Sequence, residues 1–318
     1  MSIAYSVVVP VLNEQESLAQ LLQEIAAVSQ AYDDWEVIFV DDGSTDSSWE
    51  VIEQLAASQP QVSGIRFRRN FGKAAALSAG IAQSRFPILI TMDADLQDNP
   101  REIPRMLEAL DAGNDVVSGW KQVRHDPLGK TFPSKVFNAL VGWMTGVRLH
   151  DHNCGFKTYR REIFDEIRLY GEMHRFIPVL AADRGFRITE ISVEHRARQH
   201  GVSKYGWRRI YRGLLDLLTV VFLTNYRYRP QHLLGALGGS SFCLGTLGLI
   251  VMAINWLFQQ IGWVAGPPLH QRPIVIYSVG LMLLGAQLLS VGVLAELILA
   301  QSSERQPAYS IRQKTGSP

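Results

Sequence analysis

No Asp, Glu, Lys or Arg occurs between Arg229 and Arg272, and from Pro273 to Ala300 the only one is Glu296. Within this region Leu233 to Phe258 and Ile274 to Leu299 each exceed the roughly 20 apolar residues needed to cross about 30 Å of hydrocarbon. Core helices of soluble domains are seldom so long and so free of charge, so two transmembrane helices are predicted. Gly235, Gly238, Gly239, Gly245 and Gly248 make the first stretch able to pack closely on a second helix. Trp256, Trp263 and Tyr277 suit the bilayer interface. Arg227 and Arg229 precede the first stretch and Arg305, Arg312 and Lys314 follow the second, whereas the linker 259–273 holds only Arg272. The positive-inside rule then predicts a multi-pass protein of the inner (plasma) membrane with both termini in the cytoplasm. Ser2 to Val11 runs directly into a strand pattern without a signal peptide, so the preceding part of the chain is expected to fold in the cytoplasm.

Residues 1–232 carry nearly all of the charge, although the chain as a whole is 19% charged. A net charge of +1 argues against nucleic acid as a partner. Cys154 and Cys243 sit in unlike contexts, and neither a disulfide nor a cysteine metal site is expected. Strand patterns at Tyr5–Val11, Glu36–Val40, Val62–Phe67, Phe86–Met92 and Asp115–Gly119 alternate with helical patterns. Those helices are expected at 18–28, 47–58, 74–83 and 101–112. This alternation predicts an α/β fold with a mostly parallel sheet and helices on both faces. Ligands of such sheets bind at the carboxyl ends of the strands. Asn13/Glu14, Asp41/Asp42, Asn70/Lys73 and Asp93/Asp95/Gln97 all fall at those ends.

Thr91-Met-Asp93-Ala-Asp95-Leu-Gln97 carries the sharpest chemistry. Two carboxylates two residues apart at the end of a strand point to one side. They suit a hard divalent cation that keeps positions open for phosphate oxygens. The plainer alternative is an acidic turn capping the helix that starts near Pro100. After the first strand stands Pro10-Val-Leu-Asn13-Glu14, which lacks the glycine fingerprint of a dinucleotide fold, and the chain has no phosphate loop of the G-x-x-x-x-G-K-[ST] kind.

Two further stretches are amphipathic. In Leu128–Gly146, Phe132, Val136, Leu140 and Met144 form an apolar stripe flanked by Lys130 and Lys135. It fits a helix packed on the sheet as well as one touching membrane. In Tyr205–Leu223, Trp207, Ile210, Tyr211, Leu214 and Leu218 lie on one face and Arg208, Arg209, Arg212 and Asp216 on the other. A basic, aromatic-bearing helix just before a hydrophobic span is read as lying in the lipid interface.

Pro10-Val-Leu-Asn13-Glu14, Asp41-Asp42-Gly-Ser-Thr-Asp46, Arg69-Asn-Phe-Gly-Lys73, Asp93-Ala-Asp95-Leu-Gln97-Asp98 and Gly201-x-Ser203-Lys204-Tyr205 occur in this order. The set resembles the family-2 glycosyltransferases of the polyprenyl-phosphate type, which include dolichyl-phosphate mannose synthases and bactoprenol glucosyltransferases. The resemblance covers essentially the whole chain, and the two spans match the bacterial members better. It implies a GT-A fold, Rossmann-like, that binds a nucleotide sugar. By motif match Pro10, Asn13, Glu14 and Asp42 would hold the nucleoside and Lys73 would neighbour the donor. Asp93, Asp95 and Gln97 would hold Mg2+ or Mn2+ against the diphosphate, with Asp95 counted among the catalytic groups. The acceptor implied is a polyprenyl phosphate, and Asp151 is the matching candidate for steering or deprotonating it. Arg196, Arg198, Ser203 and Lys204 form a basic segment suited to the lipid phosphate, since arginine binds phosphate through two donors and lysine as a point charge. Generic attraction to anionic lipid is the alternative for that segment. Arg160 and Arg175 could also face the crevice.

The predicted organisation is a catalytic domain over 1–204, an amphipathic interface helix and linker over 205–231, two transmembrane helices over 232–300 and a cytoplasmic tail over 301–318. Gln306 to Arg312 alternates like a short strand, which by resemblance would pair with a neighbouring subunit, so a homo-oligomer, a tetramer, is expected. The reaction expected is inverting transfer of one sugar, from UDP rather than GDP, to undecaprenyl phosphate. A processive polysaccharide synthase would carry a Q-x-x-R-W motif, which this chain lacks. A non-catalytic membrane scaffold would have no use for the Asp pair.

Overall fold

The computed structural model describes residues 3–32, 34–122, 128–169, 171, 173–196, 208–226 and 229–301. They form two compact units that divide between Val221 and Phe222.

The first unit begins with β1 (Ala4–Val11), α1 (Leu18–Ser29), β2 (Asp34–Asp41), α2 (Ser48–Ser58), β3 (Val62–Arg66), α3 (Lys73–Gln83) and β4 (Ile88–Thr91). A 3-10 turn, Pro100–Glu102, then leads into α4 (Ile103–Asp111) and β5 (Val116–Lys121). Next come α5 (Leu128–Thr145), β6 (Lys157–Arg160), the single turn α6 (Ile163–Glu166), α7 (Ile177–Asp183) and β7 (Ile188–Val193). α8 (Arg208–Asn225) follows, and its residues up to Val221 belong to this unit.

The seven strands form one sheet in the order β3-β2-β1-β4-β6-β5-β7. β1 pairs in parallel with both β2 and β4, and every residue from Tyr5 to Val9 is buried. Strands covered on both faces read as continuous apolar runs, which is why β1, β2 and β4 were visible in the sequence. One face packs Tyr5, Val7 and Val9 against Leu18, Leu21 and Ile25 of α1. The opposite face packs Val8, Ile38 and Val40 against Ala76, Leu77 and Ile81 of α3 and Ile177 of α7.

The chain winds outward from β1 through β2 to β3, then returns to add β4 on the other side of β1. Such a reversal opens a crevice at the carboxyl ends of β1 and β4. Pro10–Glu14 and Asp93–Gln97 leave the sheet at this point.

β6 and β7 were not anticipated. β6 is antiparallel to both β4 and β5, with Thr91 opposite Lys157 and Ile88 opposite Arg160. That direction corrects one expectation. Arg160 lies at the far end of the sheet, where it pairs with Asp115 at 3.4 Å, and Lys157 occupies the crevice end instead.

The α5 and α8 helices each bury one side and leave apolar residues outward. Asn138 and Val141 of α5 are buried while Val136 and Trp143 are exposed. In α8, Leu217 and Val220 are buried while Leu214, Leu215 and Leu218 are exposed. Two helices of this unit thus carry exposed leucine or tryptophan.

The second unit is the pair α9 (Pro230–Gln260) and α10 (Pro273–Gln301). They run antiparallel with touching backbones. A Cβ added to Gly245 would stand 2.5 Å from the Ser278 carbonyl oxygen and the Met282 nitrogen, so only glycine fits there. Only 11% of the most apolar window of each helix is buried, and Leu244, Leu247, Ile250, Leu283 and Leu294 face outward. Length, composition and an apolar exterior together make this a membrane-associated pair rather than the core of a soluble domain.

Candidate active site

The floor of the crevice is held by backbone bonds to side chains at successive strand ends. Asn13 adopts a left-handed conformation (φ 57°), its N–H donates to Ser44 Oγ at 3.0 Å, and its Oδ1 accepts from the Thr45 N–H at 2.8 Å. The Glu14 N–H donates to Ser48 Oγ at 2.9 Å. Asp42 is buried; Oδ1 accepts from the Phe71 N–H at 2.7 Å and Oδ2 from the Gly72 N–H at 2.9 Å. These bonds fix the start of α3, whose first residue is Lys73. Its Nζ forms an ion pair with Asp93 Oδ1. Asn13 and Glu14 are thus tied to the loop after β2, Asp42 to the start of α3 and Lys73 to Asp93, while Pro10 lies within β1 opposite Val40.

Past β4, burial alternates. Met92, Ala94, Leu96 and Asp98 are buried, whereas Asp93, Asp95 and Gln97 are partly exposed. Leu96 is left-handed (φ 60°), and Asp95 Oδ1 accepts from the Gln97 N–H at 3.2 Å. Asp98 pairs with Lys121 Nζ at 2.9 Å.

Charge here is dense, with lysines interleaved among the carboxylates. Burial alone would raise the Asp93 carboxyl, but Lys73 and Lys121 outweigh it and hold Asp93 well below the usual carboxylate range. Burial also opposes the charge on Lys121, yet Asp98 keeps it firmly protonated. Lys157 is 2% exposed and donates to the carbonyls of His152 and Cys154. Burial lowers its affinity for a proton, with the neighbouring Cys154 and Asp151 acting the other way. Burial, then Lys73 and Arg175, push His174 well below the ordinary imidazole value, so it is neutral at pH 7. Cys154, also buried, is pushed up to about 12 and stays a thiol; both cysteines are free.

Lys121, Lys157, His174 and Gly155 escaped the sequence reading. Gly155 lies directly beside the Asp93 carboxylate: a Cβ there would stand 2.6 Å from Asp93 Oδ2.

Asp151, the expected acceptor base, is 1% exposed; its Oδ1 accepts from the Asn153 N–H at 3.1 Å, and its own N–H donates to Glu190 at 3.0 Å. Arg196 turns its guanidinium toward Glu24 and Asn99. Arg198, Ser203 and Lys204 lie outside the described residues, as does the tail from 302 onward.

His152 gives a pH signature. It is fully buried, and burial, followed by the charge of Lys157, brings its pKa down to about 4. The unfolded chain takes up this proton near pH 6.5 and the folded protein does not. The stability His152 contributes is therefore whole above that pH and is lost as pH falls toward 4, by about 3 kcal/mol at the lower limit. Melting temperatures from pH 7.5 to 4 are expected to fall less steeply in His152→Gln than in wild type. Parallel slopes would contradict the burial account.

The sheet and its reversal between β1 and β4 are those of the GT-A class. Mannosyl-3-phosphoglycerate synthase from Rubrobacter xylanophilus superposes with a TM-score of 0.56 at 16% identity, over 69% of this chain and 73% of that one. Glucosyl-3-phosphoglycerate synthase from Mycobacterium tuberculosis, solved with Mn2+, UDP and phosphoglyceric acid, gives 0.54 at 17% identity over 69% and 77%. These likenesses concern the fold. The family model for glycosyl transferase family 2 matches residues 6–168. Dodecaprenyl-phosphate galacturonate synthase of Rhizobium johnstonii is 40% identical over 98% of this chain and 93% of its own. An undecaprenyl-phosphate 4-deoxy-4-formamido-L-arabinose transferase of Pseudomonas fluorescens is 38% identical over 92% and 84%. The chain belongs to glycosyltransferase family 2, as a member of its polyprenyl-phosphate type.

Proposed function

We propose that this enzyme moves one sugar from a nucleotide sugar, a UDP-sugar, to the phosphate of a polyprenyl phosphate at the cytoplasmic face of the membrane, with inversion at the sugar carbon. What supports this reading is Asp93, its charge favoured by the adjoining Lys73 where β1 and β4 part, with Asp95 and Gln97 partly exposed in the same loop.

Among the described residues no group of three or more His, Cys, Asp or Glu side chains could by itself hold a metal. Two carboxylates and an amide oxygen fit instead a hard cation that completes its shell with phosphate oxygens and water, as Mg2+ commonly does. Asp93, Asp95 and Gln97 would hold Mg2+ or Mn2+, and the bound ion would supply charge neutralisation for the departing diphosphate. Pro10, Asn13, Glu14 and Asp42 would shape the nucleoside end of the pocket. Lys73, ordered at the start of α3, would stand beside the donor's phosphates.

A phosphate monoester is largely ionised at pH 7, its second pKa being about 6, so the acceptor oxygen attacks without a strong base. This suits the burial of Asp151, which then shapes the 151–153 turn. In-line attack on a positioned donor gives inversion directly. The outward leucines of α8 and Trp143 of α5 would seat the first unit on the bilayer, and Arg198, Ser203 and Lys204 would meet the lipid phosphate there. The two long helices would cross the membrane with both termini inside the cell, in a homo-oligomer.

The test is a panel of radiolabelled nucleotide sugars with polyprenyl phosphate and Mg2+ or Mn2+, read by lipid extraction. UDP-galacturonate belongs in the panel because the Rhizobium relative is named for that sugar. One UDP-sugar is expected to label the organic phase. Label in a long water-soluble polymer would overturn the choice of acceptor.

A further inference from the structure

The loop that follows β4 has a shape that needs holding. Leu96 is a non-glycine residue at φ 60°, a conformation that costs on the order of 1 kcal/mol and persists only where the surroundings over-determine it. Its side chain is buried, which pins one point. The other restraints come from a segment almost one hundred residues later in the sequence. Asp98 and His195 form a β-bridge, and the Arg196 N–H donates to the Gln97 carbonyl at 2.9 Å.

Side chains repeat the connection. Arg196 Nη2 donates to Asn99 Oδ1 at 2.7 Å, and Asn99 Nδ2 donates to Glu194 Oε2 at 2.5 Å. Asn99 Oδ1 also caps the turn at Pro100 by accepting the Arg101 N–H at 3.1 Å. The second edge of the guanidinium goes to α1, where Arg196 Nη1 meets Glu24 Oε2 at 2.6 Å. Both partners of that pair are about three-quarters buried, at 23% and 25% exposure, so the bond is charge-assisted and only partly screened by water.

We propose that Arg196 is a positioning residue for the metal loop: braced by Glu24, it fixes Gln97 and Asn99 and thereby the directions of Asp93 and Asp95. This rests on the reading that those carboxylates take a divalent cation together with a nucleotide diphosphate. It assigns Arg196 work on the donor side, where its sequence context had pointed to the lipid phosphate. It also gives Glu24, a residue on the outer side of α1, a part in nucleotide binding.

The experiment measures binding of UDP to the full-length protein in detergent by calorimetry, with and without Mn2+, well below the melting temperature of each variant. KM for polyprenyl phosphate is measured alongside. Glu24→Gln, which weakens one charge-assisted bond, and Arg196→Gln, which also gives up the bond to Asn99, are each expected to weaken Mn2+-dependent UDP binding by about tenfold or more. The double variant should be no weaker than the worse single one, because both changes cut the same brace. KM for the acceptor should stay within about twofold, and Arg196→Lys, which keeps the charge but not the two-edged geometry, should recover part of the loss.

An Arg196→Gln protein with wild-type UDP binding and a tenfold higher acceptor KM would overturn the proposal and return Arg196 to the lipid phosphate. Additive losses in the double variant would also overturn it. Wild-type protein that binds UDP equally well without Mn2+ would instead remove the metal reading beneath it.

Discussion

Asp95→Asn is expected to abolish transfer, by about three orders of magnitude or more in initial rate, in a protein that still folds and enters the membrane. The substitution keeps the size of the side chain and the oxygen that accepts from the Gln97 N–H at 3.2 Å. What disappears is one of the two negative charges that would attract a cation to the diphosphate. Losing electrostatic stabilisation of a leaving group costs several kcal/mol, and about 4 kcal/mol is a thousandfold in rate. Asp93→Asn would be a poorer test, because it also leaves Lys73 without its carboxylate partner. The check is the initial rate with the preferred donor, beside a melting curve. A variant that keeps both rate and stability would mean that Asp95 only caps its turn.

Gly155→Ala is expected to be nearly as damaging without touching any charged group. The glycine follows Cys154 on the way into β6, and its carbonyl accepts from Thr91 Oγ1 at 2.8 Å, which ties its backbone to β4. An added methyl carbon would stand 2.6 to 2.8 Å from three atoms of the Asp93 carboxyl group. Either the loop gives way or Asp93 turns, and turning pulls it from Lys73. A displacement of about 1 Å in a positioning group can cost a hundredfold in rate, so a loss of about that size is expected. Melting should fall only slightly, by the few degrees that about 1 kcal/mol represents in a domain of this size. A rate within twofold of wild type would show that the position of Asp93 is unimportant.

These two residues mark what the sequence could and could not disclose. Asp95 was legible as a candidate because β4 is a buried strand, and a charged pair at the end of an apolar run stands out. The same holds for Asp42 and Lys73 at neighbouring strand ends, and for α9 and α10, whose length without charge admits few readings. Gly155 was invisible because its importance is a contact across 62 positions of sequence, set by an antiparallel strand. That strand, Lys157-Thr-Tyr-Arg160, has a cation at each end and two residues between, too short and too polar to announce itself. Missing it also turned Arg160 the wrong way. Arg196 shows the converse limit. Its neighbours in sequence are basic and suggest a phosphate, but its partners in space, Glu24 and Asn99, come from elsewhere in the chain.

The central claim is that the loop from Asp93 to Gln97 is where a cation and a nucleotide diphosphate meet. The most direct measurement is an anomalous-diffraction map, recorded at the manganese edge, from crystals of the full-length protein grown with Mn2+ and UDP. The account predicts a manganese peak bonded to Asp93 or Asp95 and to diphosphate oxygens at the ends of β1 and β4. A map in which UDP binds there without manganese, or in which the ion and the nucleotide lie elsewhere on the protein, would contradict it.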